Sequence, residues 1–391
     1  MRHNQTHVLQ VIGNSSFGGA TRVIHAISRG LQAAGYRVSV LTSDPRTQEL
    51  FAGIGATVIP CRHYVRQLSP LRDALAVAET RHLCRLYDID VLHTHTSKGG
   101  AIGRVAAWTL GLPVVHTVHG FSFHDFSSAW ARTLYTTAEW ALAPLTARMV
   151  LINGDEYRLV RHHDWVPRAR TRLIVNGIPV PPLPAAATAH EGCPHLVTVG
   201  RLSIQKGYRY LLDAMPAVLA RFPHARLSIV GEGEERARRE AQSARLSLNA
   251  AVTFTGFQTD PLAWLTKAHV TVSSSLWEGL PIAVLEMMAA RRPIVATSCR
   301  GTRDVLTHGE NGLLAPPADP DALAEALVTM LTHEERAHGM ADAARYTLET
   351  AYTETRMVQE YVTLFRDLRP TRATAEVSPG LEEAVPSNSG E

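Results

Sequence analysis

Two carboxylates stand eight residues apart in the run EGLPIAVLE, Glu278 to Glu286. The second lies in an apolar stretch of helical character. Pro281 falls where a first helical position is expected, its ring pre-set for the helix and its missing N–H not needed there. Glu278 and Gly279 then occupy the turn before the helix, where backbone N–H groups attract an anion such as phosphate. In a helical segment the two Glu Cα atoms stand about 12 Å apart, at about 1.5 Å per residue. That is too far for a glycosidase pair, which works at about 5–10 Å. It suits a long ligand with phosphate in the middle and hydroxyls at both ends, the shape of a nucleotide sugar. Standing alone, the pair is more simply a helix cap and a solvated helix charge, so the rest of the chain has to decide.

Further residues of the same chemistry recur at expected strand ends. Arg201 and Lys206 follow the apolar run His195 to Val199. A guanidinium grips phosphate bidentately and an ammonium supplies a compact charge. With the helix start at Gly279, Leu280 and Pro281 they could neutralise a pyrophosphate without metal, so that catalysis would be electrostatic support for a departing nucleotide. His119 ends the run Val114 to Val118, where open α/β sheets bind ligands, and imidazole suits proton work near neutral pH. Gly18 and Gly19 lie in the loop NSSFGGA between an expected strand, Val8 to Ile12, and a helix. They would let backbone approach a ligand closely. The pattern G-x-G-x-x-G is absent, so a dinucleotide fingerprint is not supported. His93 and His95 alternate onto one face of a strand and are too few for a metal site. Asp88-Ile89-Asp90 spells D-x-D but sits just before a strand, and is not expected to hold a metal.

The elements that must position these residues form two series. Seven short apolar runs precede residue 179 and six follow residue 194, with helical stretches between them. The second βαβ series argues for two doubly wound domains in tandem rather than one large sheet. Between the series, residues 179–194 carry five prolines and read as a linker. Three helices close the chain, the last at about Thr353 to Leu368. The Pro/Ser/Glu-rich end, 369–391, reads as disordered.

Composition sets the bounds. The chain has 391 residues, 45% hydrophobic and 19% charged, enough for two ordinary domains. Residues 1–185 carry 19 Lys and Arg against 11 Asp and Glu, a net of +8, and the remainder carries 20 against 25, a net of −5. A basic half suggests contact with something anionic, a membrane surface or a phosphorylated substrate. Two domains of different charge with no shared partner explain it as well. Four scattered cysteines fit a reducing compartment without disulfides or zinc. No apolar run reaches 18 residues, so a cytosolic protein is expected, with any membrane contact peripheral.

The chain resembles glycosyltransferase family 4, retaining nucleotide-sugar enzymes of the GT-B fold. The resemblance is carried by FGG (17–19), DVLHTHTSKGG (90–100), HTVHGFSFH (116–124), VNGI (175–178), VGRLSIQKG (199–207), IVGEGEER (229–236), FTGF (254–257) and above all EGLPIAVLE (278–286). It covers about residues 7 to 368, with a flavour of the capsule and exopolysaccharide branch. It implies two Rossmann-like domains facing across a cleft: 1–183 on the acceptor side, 184–352 binding the nucleotide sugar, and a helix at 353–368 crossing back to the first. It implies that Glu286 binds the ribose hydroxyls and Glu278 the donor sugar. Arg201 and Lys206 would hold the diphosphate, and His119 would lie near the reacting centre. Gly18 and Gly19 would lie near the phosphates and acceptor, and Phe257 near the base. It implies retention of configuration, no cofactor and no required metal. The expected partners are a nucleotide-sugar donor of the UDP series and a glycan acceptor, with no nucleic acid. The +8 of the first half suits a polyprenyl-diphosphate-linked acceptor at a membrane face. A non-hydrolysing nucleotide-sugar epimerase of the same architecture and a non-catalytic binding protein are the rivals. Nothing in the sequence names the sugar or the linkage.

Overall fold

The computed structural model describes residues 5–14, 17–65, 67–122, 126–185 and 192–368. The expected disordered tail, part of the expected linker, and Phe123, His124 and Asp125 of the histidine-rich motif lie outside the described residues.

The first sheet has seven strands: β1 (His7–Gly13), β2 (Arg37–Thr42), β3 (Thr57–Pro60), β4 (Val91–His95), β5 (Val114–Val118), β6 (Arg148–Leu151) and β7 (Thr171–Leu173). Their order is β3-β2-β1-β4-β5-β6-β7, and every pairing is parallel. The second sheet has β8 (His195–Val199), β9 (Arg226–Val230), β10 (Val252–Gly256), β11 (Val270–Ser273), β12 (Ile294–Thr297) and β13 (Leu313–Ala315). Its order is β10-β9-β8-β11-β12-β13, again parallel. Helices cover both faces, so β1, β4, β5, β11 and β12 are buried along their whole length. In each sheet the strand order reverses once, between β1 and β4 and between β8 and β11. Crevices open outside the strand C-termini at those points.

One helix ties the halves together. Glu354–Arg366 returns from the second half and lies on Gly19–Ala33 of the first. Its Met357, Tyr361, Leu364 and Phe365 enter the first sheet's core, each burial contributing about 1.5–3 kcal/mol. This is the GT-B architecture the resemblance implies.

Two readings of the sequence need correction. β7 begins at Thr171, two residues before the expected Leu173, because an edge strand pairs through backbone and its Arg172 and Leu173 face solvent. Pro281 is the residue before the helix Ile282–Ala289, not its first position. Its backbone is extended, with φ −78° and ψ 97°. Between β5 and β6 the structure has a fourteen-residue helix, Ala129–Leu142, capped by Ser128, whose Oγ accepts from Ala131 N at 3.2 Å.

Candidate active site

The second domain contributes charge. Lys206 ends a tight turn after β8, closed by Gly207 in left-handed backbone (φ 61°). Its Nζ donates to Glu278 Oε1 at 2.6 Å. The same oxygen accepts from Ser275 Oγ at 2.7 Å, and Gln205 Nε2 reaches Glu278 Oε2 at 3.3 Å. Two loops, following neighbouring strands β8 and β11, thereby fix the carboxylate. Burial disfavours charge on Lys206, but the Glu278 carboxylate outweighs it and raises the pKa above the usual lysine value. Lys206 is therefore a fixed cation at neutral pH. Leu280 is packed into the core beside Val284, so it can offer a ligand only its backbone.

Two helix starts meet beside this pair. Gly18 precedes Gly19–Ala33 and Pro281 precedes Ile282–Ala289. Neither helix has a side-chain cap or an acidic residue in its first turn. A Cβ on Gly19 would stand 3.0 Å from Ile282 Cγ1, so only glycine lets the first turns lie this close. One turn on, Arg22 Nη1 donates to Glu286 Oε1 at 2.8 Å across the cleft. Burial raises the Glu286 pKa, and Arg22 and then Lys206 oppose it. Two uncapped helix N-termini thus lie side by side, each favouring an anion.

The first domain contributes buried neutral groups. His119 Nε2 lies 3.0 Å from His95 Nδ1, and His95 Nε2 lies 2.8 Å from Gln10 Oε1. His93 bonds Thr117 Oγ1 at 2.8 Å, which meets Tyr361 OH at 3.1 Å. Burial lowers the pKa of His119 to about 4, and those of His93 and His95 well below the usual value. These imidazoles are neutral at pH 7. The His119 segment touches the second domain directly: any side chain on Gly279 would collide with the His119 carbonyl. Asn153 Nδ2 donates to Gly279 O at 2.8 Å. The adjacent Phe121 N–H donates to Glu156 at 2.8 Å, a carboxyl whose pKa burial pushes up to about 7.

The structure thus gathers Gly18, Gly19, His119, Lys206, Glu278, Gly279, Leu280, Pro281 and Glu286. Arg201 is paired with a different acid from Lys206. Its Nη2 lies 3.1 Å from Glu234, both side chains about half exposed, and it borders a large cavity of the first domain. Phe257 is exposed at the rim, with the Arg46 guanidinium carbon 4.7 Å from its ring centroid. Asp90 of the D-x-D bonds His7 N at 2.8 Å, at the strand ends remote from His119. Among the described residues no group of three His, Cys, Asp or Glu could hold a metal ion, and no helix is long and apolar enough to cross a membrane.

Residues 17–180 match the model described as Glycosyltransferase Family 4, and residues 193–333 that of Glycosyl transferases group 1. The Bacillus subtilis protein named as glycosyltransferase EpsD is 30% identical over 295 residues, covering 71% of this chain and 77% of its own. The chain belongs to glycosyltransferase family 4. An Escherichia coli relative named UDP-Gal:alpha-D-GlcNAc-diphosphoundecaprenol alpha-1,3-galactosyltransferase is 25% identical over 340 residues, 83% of this chain and 87% of its own. Two solved structures share the fold. Anabaena HepE in complex with UDP has a TM-score of 0.75 at 19% identity, over 93% of this chain and all of that one. The sucrose-phosphate synthase of Thermosynechococcus elongatus has 0.77 at 23%, over 93% and 99%.

Sequence reasoning missed several members of this family-4 cleft. Arg22 carried no signal beyond one charge on a helix. Gln10 lies inside an apolar strand. Asn153 and Glu156 are local helix-start residues, and only the folded chain brings them to the Gly279 and Phe121 backbones.

Proposed function

We propose that this glycosyltransferase is retaining and metal-independent. It moves a sugar from a UDP-sugar to a glycan carried on a polyprenyl diphosphate, in cell-surface polysaccharide synthesis at the cytosolic membrane face. The observation that carries the reading is Lys206, held as a cation against Glu278 beside two uncapped helix starts. The names of the Escherichia coli relative and the UDP complex of HepE support the donor series and acceptor class.

In this reading the domains are 1–183 and 184–352. The diphosphate lies at the helix starts of Gly19 and Ile282, with Lys206 beneath it. As the anomeric C–O bond breaks, negative charge grows on the departing diphosphate, and Lys206 and the helix starts stabilise it without metal. The acceptor oxygen bonds the anomeric carbon on the same face, and its proton passes to the departing phosphate oxygen. Glu286 receives the ribose hydroxyls after Arg22 releases it, and Phe257 stacks near the base. Glu278 and neutral His119 bond the sugar hydroxyls. Arg201 enters the phosphate site as the cleft closes, a domain motion of the kind that can limit turnover. The glycosyltransferase models matching both halves disfavour an epimerase.

Thermal stabilisation against UDP, GDP, ADP, CMP and NAD, with and without chelator, tests the donor assignment. A ligand at 100 times its Kd stabilises by about 2.7 kcal/mol. A shift with UDP that survives chelator is expected. A shift only with NAD, or only with added metal, would overturn the assignment.

A further inference from the structure

A cavity of about 960 Å³, large for a small-molecule site, opens among the helices of the first domain and reaches Arg201 of the second. Six apolar lining residues, Ile24, Val77, Ile102, Val105, Tyr135 and Leu142, come from four different helices. Ser97, Lys98 and, from the second domain, Arg201 also line it.

Two of the wall helices carry outward faces unlike those of a helix covered by water alone. In Ala129–Leu142 only Glu139 is buried. Trp130, Leu134, Ala138 and Ala141 form one exposed stripe at positions i, i+4, i+8 and i+11, the pattern a globular helix normally turns inward. Trp130 is 72% exposed and Trp140 62%. On the other wall Leu68, Leu71 and Leu75 are exposed, Leu71 at 74%. The faces and the cavity are continuous, because exposed Ala138 and Leu68 also line it.

The exposed charged side chains on these walls are arginines: Arg72 and Arg132 stand exposed on the two helices. Of the acids, Glu139 is paired with buried Arg104 at 2.8 Å and Asp73 with Lys98 at 2.7 Å, while Glu79 accepts the backbone N–H groups of Arg62 and His63 at 2.9 and 3.1 Å. Exposed Trp and Leu flanked by arginine match an anionic bilayer surface.

We propose that this cavity holds the polyisoprenoid chain of the acceptor, entering between Leu68 and Ala138. Trp130, Leu134, Leu71 and Leu75 rest in the anionic membrane around its mouth. The acceptor's diphosphate then lies toward Lys98 and Arg201, directed at the donor cleft. This inference rests on the lipid-linked acceptor proposed above.

Flotation with phosphatidylcholine vesicles, with and without phosphatidylglycerol, tests the face. Wild type should float with the anionic vesicles. Trp130→Ser/Leu134→Ser should lose about tenfold in binding while keeping its UDP-induced thermal shift, which shows that it is folded. Ala138→Trp tests the cavity. It should raise KM about tenfold for an undecaprenyl-diphosphate-linked acceptor and leave a geranyl-linked one unchanged. Failure of wild type to float, or equal flotation of the double variant, overturns the membrane face. A solution dimer that the double variant breaks, without vesicle binding, assigns the face to a second copy and also overturns it. Equal effects of Ala138→Trp on both chain lengths overturn the cavity assignment. Transfer only to soluble glycans, with Trp130-dependent flotation intact, removes the acceptor reading and the cavity while upholding the face.

Discussion

The two sides of the cleft are built by opposite physics. The second domain presents ionised groups held by other ionised groups: Lys206 against Glu278 at 2.6 Å, and Glu286 against Arg22 at 2.8 Å. Apart from Arg22, the first presents neutral groups held by burial, His93, His95 and His119 in a chain from Gln10, and a cavity with many apolar lining residues. The difference fits the proposed reaction, in which the second side takes the diphosphate and the first takes the acceptor. A diphosphate is the same charged object in every nucleotide sugar, and fixed charge suits it. An acceptor hydroxyl and a lipid chain offer shape and hydrogen bonds, which neutral buried groups read better.

The hardest test of this contrast is Lys206→Met. Turnover should fall about 10²–10³-fold, the scale for removing a preorganised transition-state donor, while Kd for UDP moves much less. Steady-state kinetics with calorimetric UDP titration reads both. Adding Glu278→Gln should recover stability, since it removes the carboxylate left buried without its cation, but not activity. Recovered activity would mean the pair is structural.

Glu286→Ala should mainly weaken UDP binding, by about 1.5–3 kcal/mol for lost charge-assisted hydrogen bonds, with kcat nearly kept. On the neutral side, Gln10→Leu should lower kcat by about tenfold at nearly constant KM, because the His95–His119 pair loses the group that fixes its tautomer. Gln10→Glu, which retains the acceptor, should recover part of that loss. Equal effects on kcat and UDP affinity would erase the distinction between the two sides.

A pH measurement sharpens the neutral side. Burial raises Glu156 from an ordinary 4.5 to about 7. Between those values the folded chain holds a proton that the unfolded chain has released. Its contribution to stability is full below about pH 4.5 and is lost as pH rises through about 7. Glu156→Gln should flatten that fall in chemical denaturation, and an unchanged pH slope would place the carboxyl in contact with water. The smallest effect is expected at the rim. Arg46→Ala removes a cation–π contact with Phe257 worth about 0.5–1 kcal/mol, readable as a few-fold change in UDP affinity.

The same contrast governs what the sequence reveals. The strands of both sheets show as short β-branched runs, and the charged site shows because Glu278, Lys206 and Glu286 sit at fixed offsets from strand ends. β7 slipped because an edge strand needs no apolar pattern. The helix Ala129–Leu142 does carry apolar residues at helical spacing, but only the fold shows that they face outward. Gln10 and His95 are 85 positions apart, joined only because β1 neighbours β4. Arg22 meets Glu286 only through the facing of two domains. Local offsets are written in the sequence, whereas contacts made by topology and shape are not.

The proposed reaction turns on a metal-free donor site centred on Lys206. Its decisive test is sugar transfer from UDP-sugars to a polyprenyl-diphosphate-linked glycan, measured in excess EDTA for wild type and Lys206→Met. Full transfer by wild type in EDTA is expected, with a loss of about 10²-fold or more in the folded variant. Transfer abolished by EDTA and restored by a divalent cation, or undiminished in Lys206→Met, would contradict it.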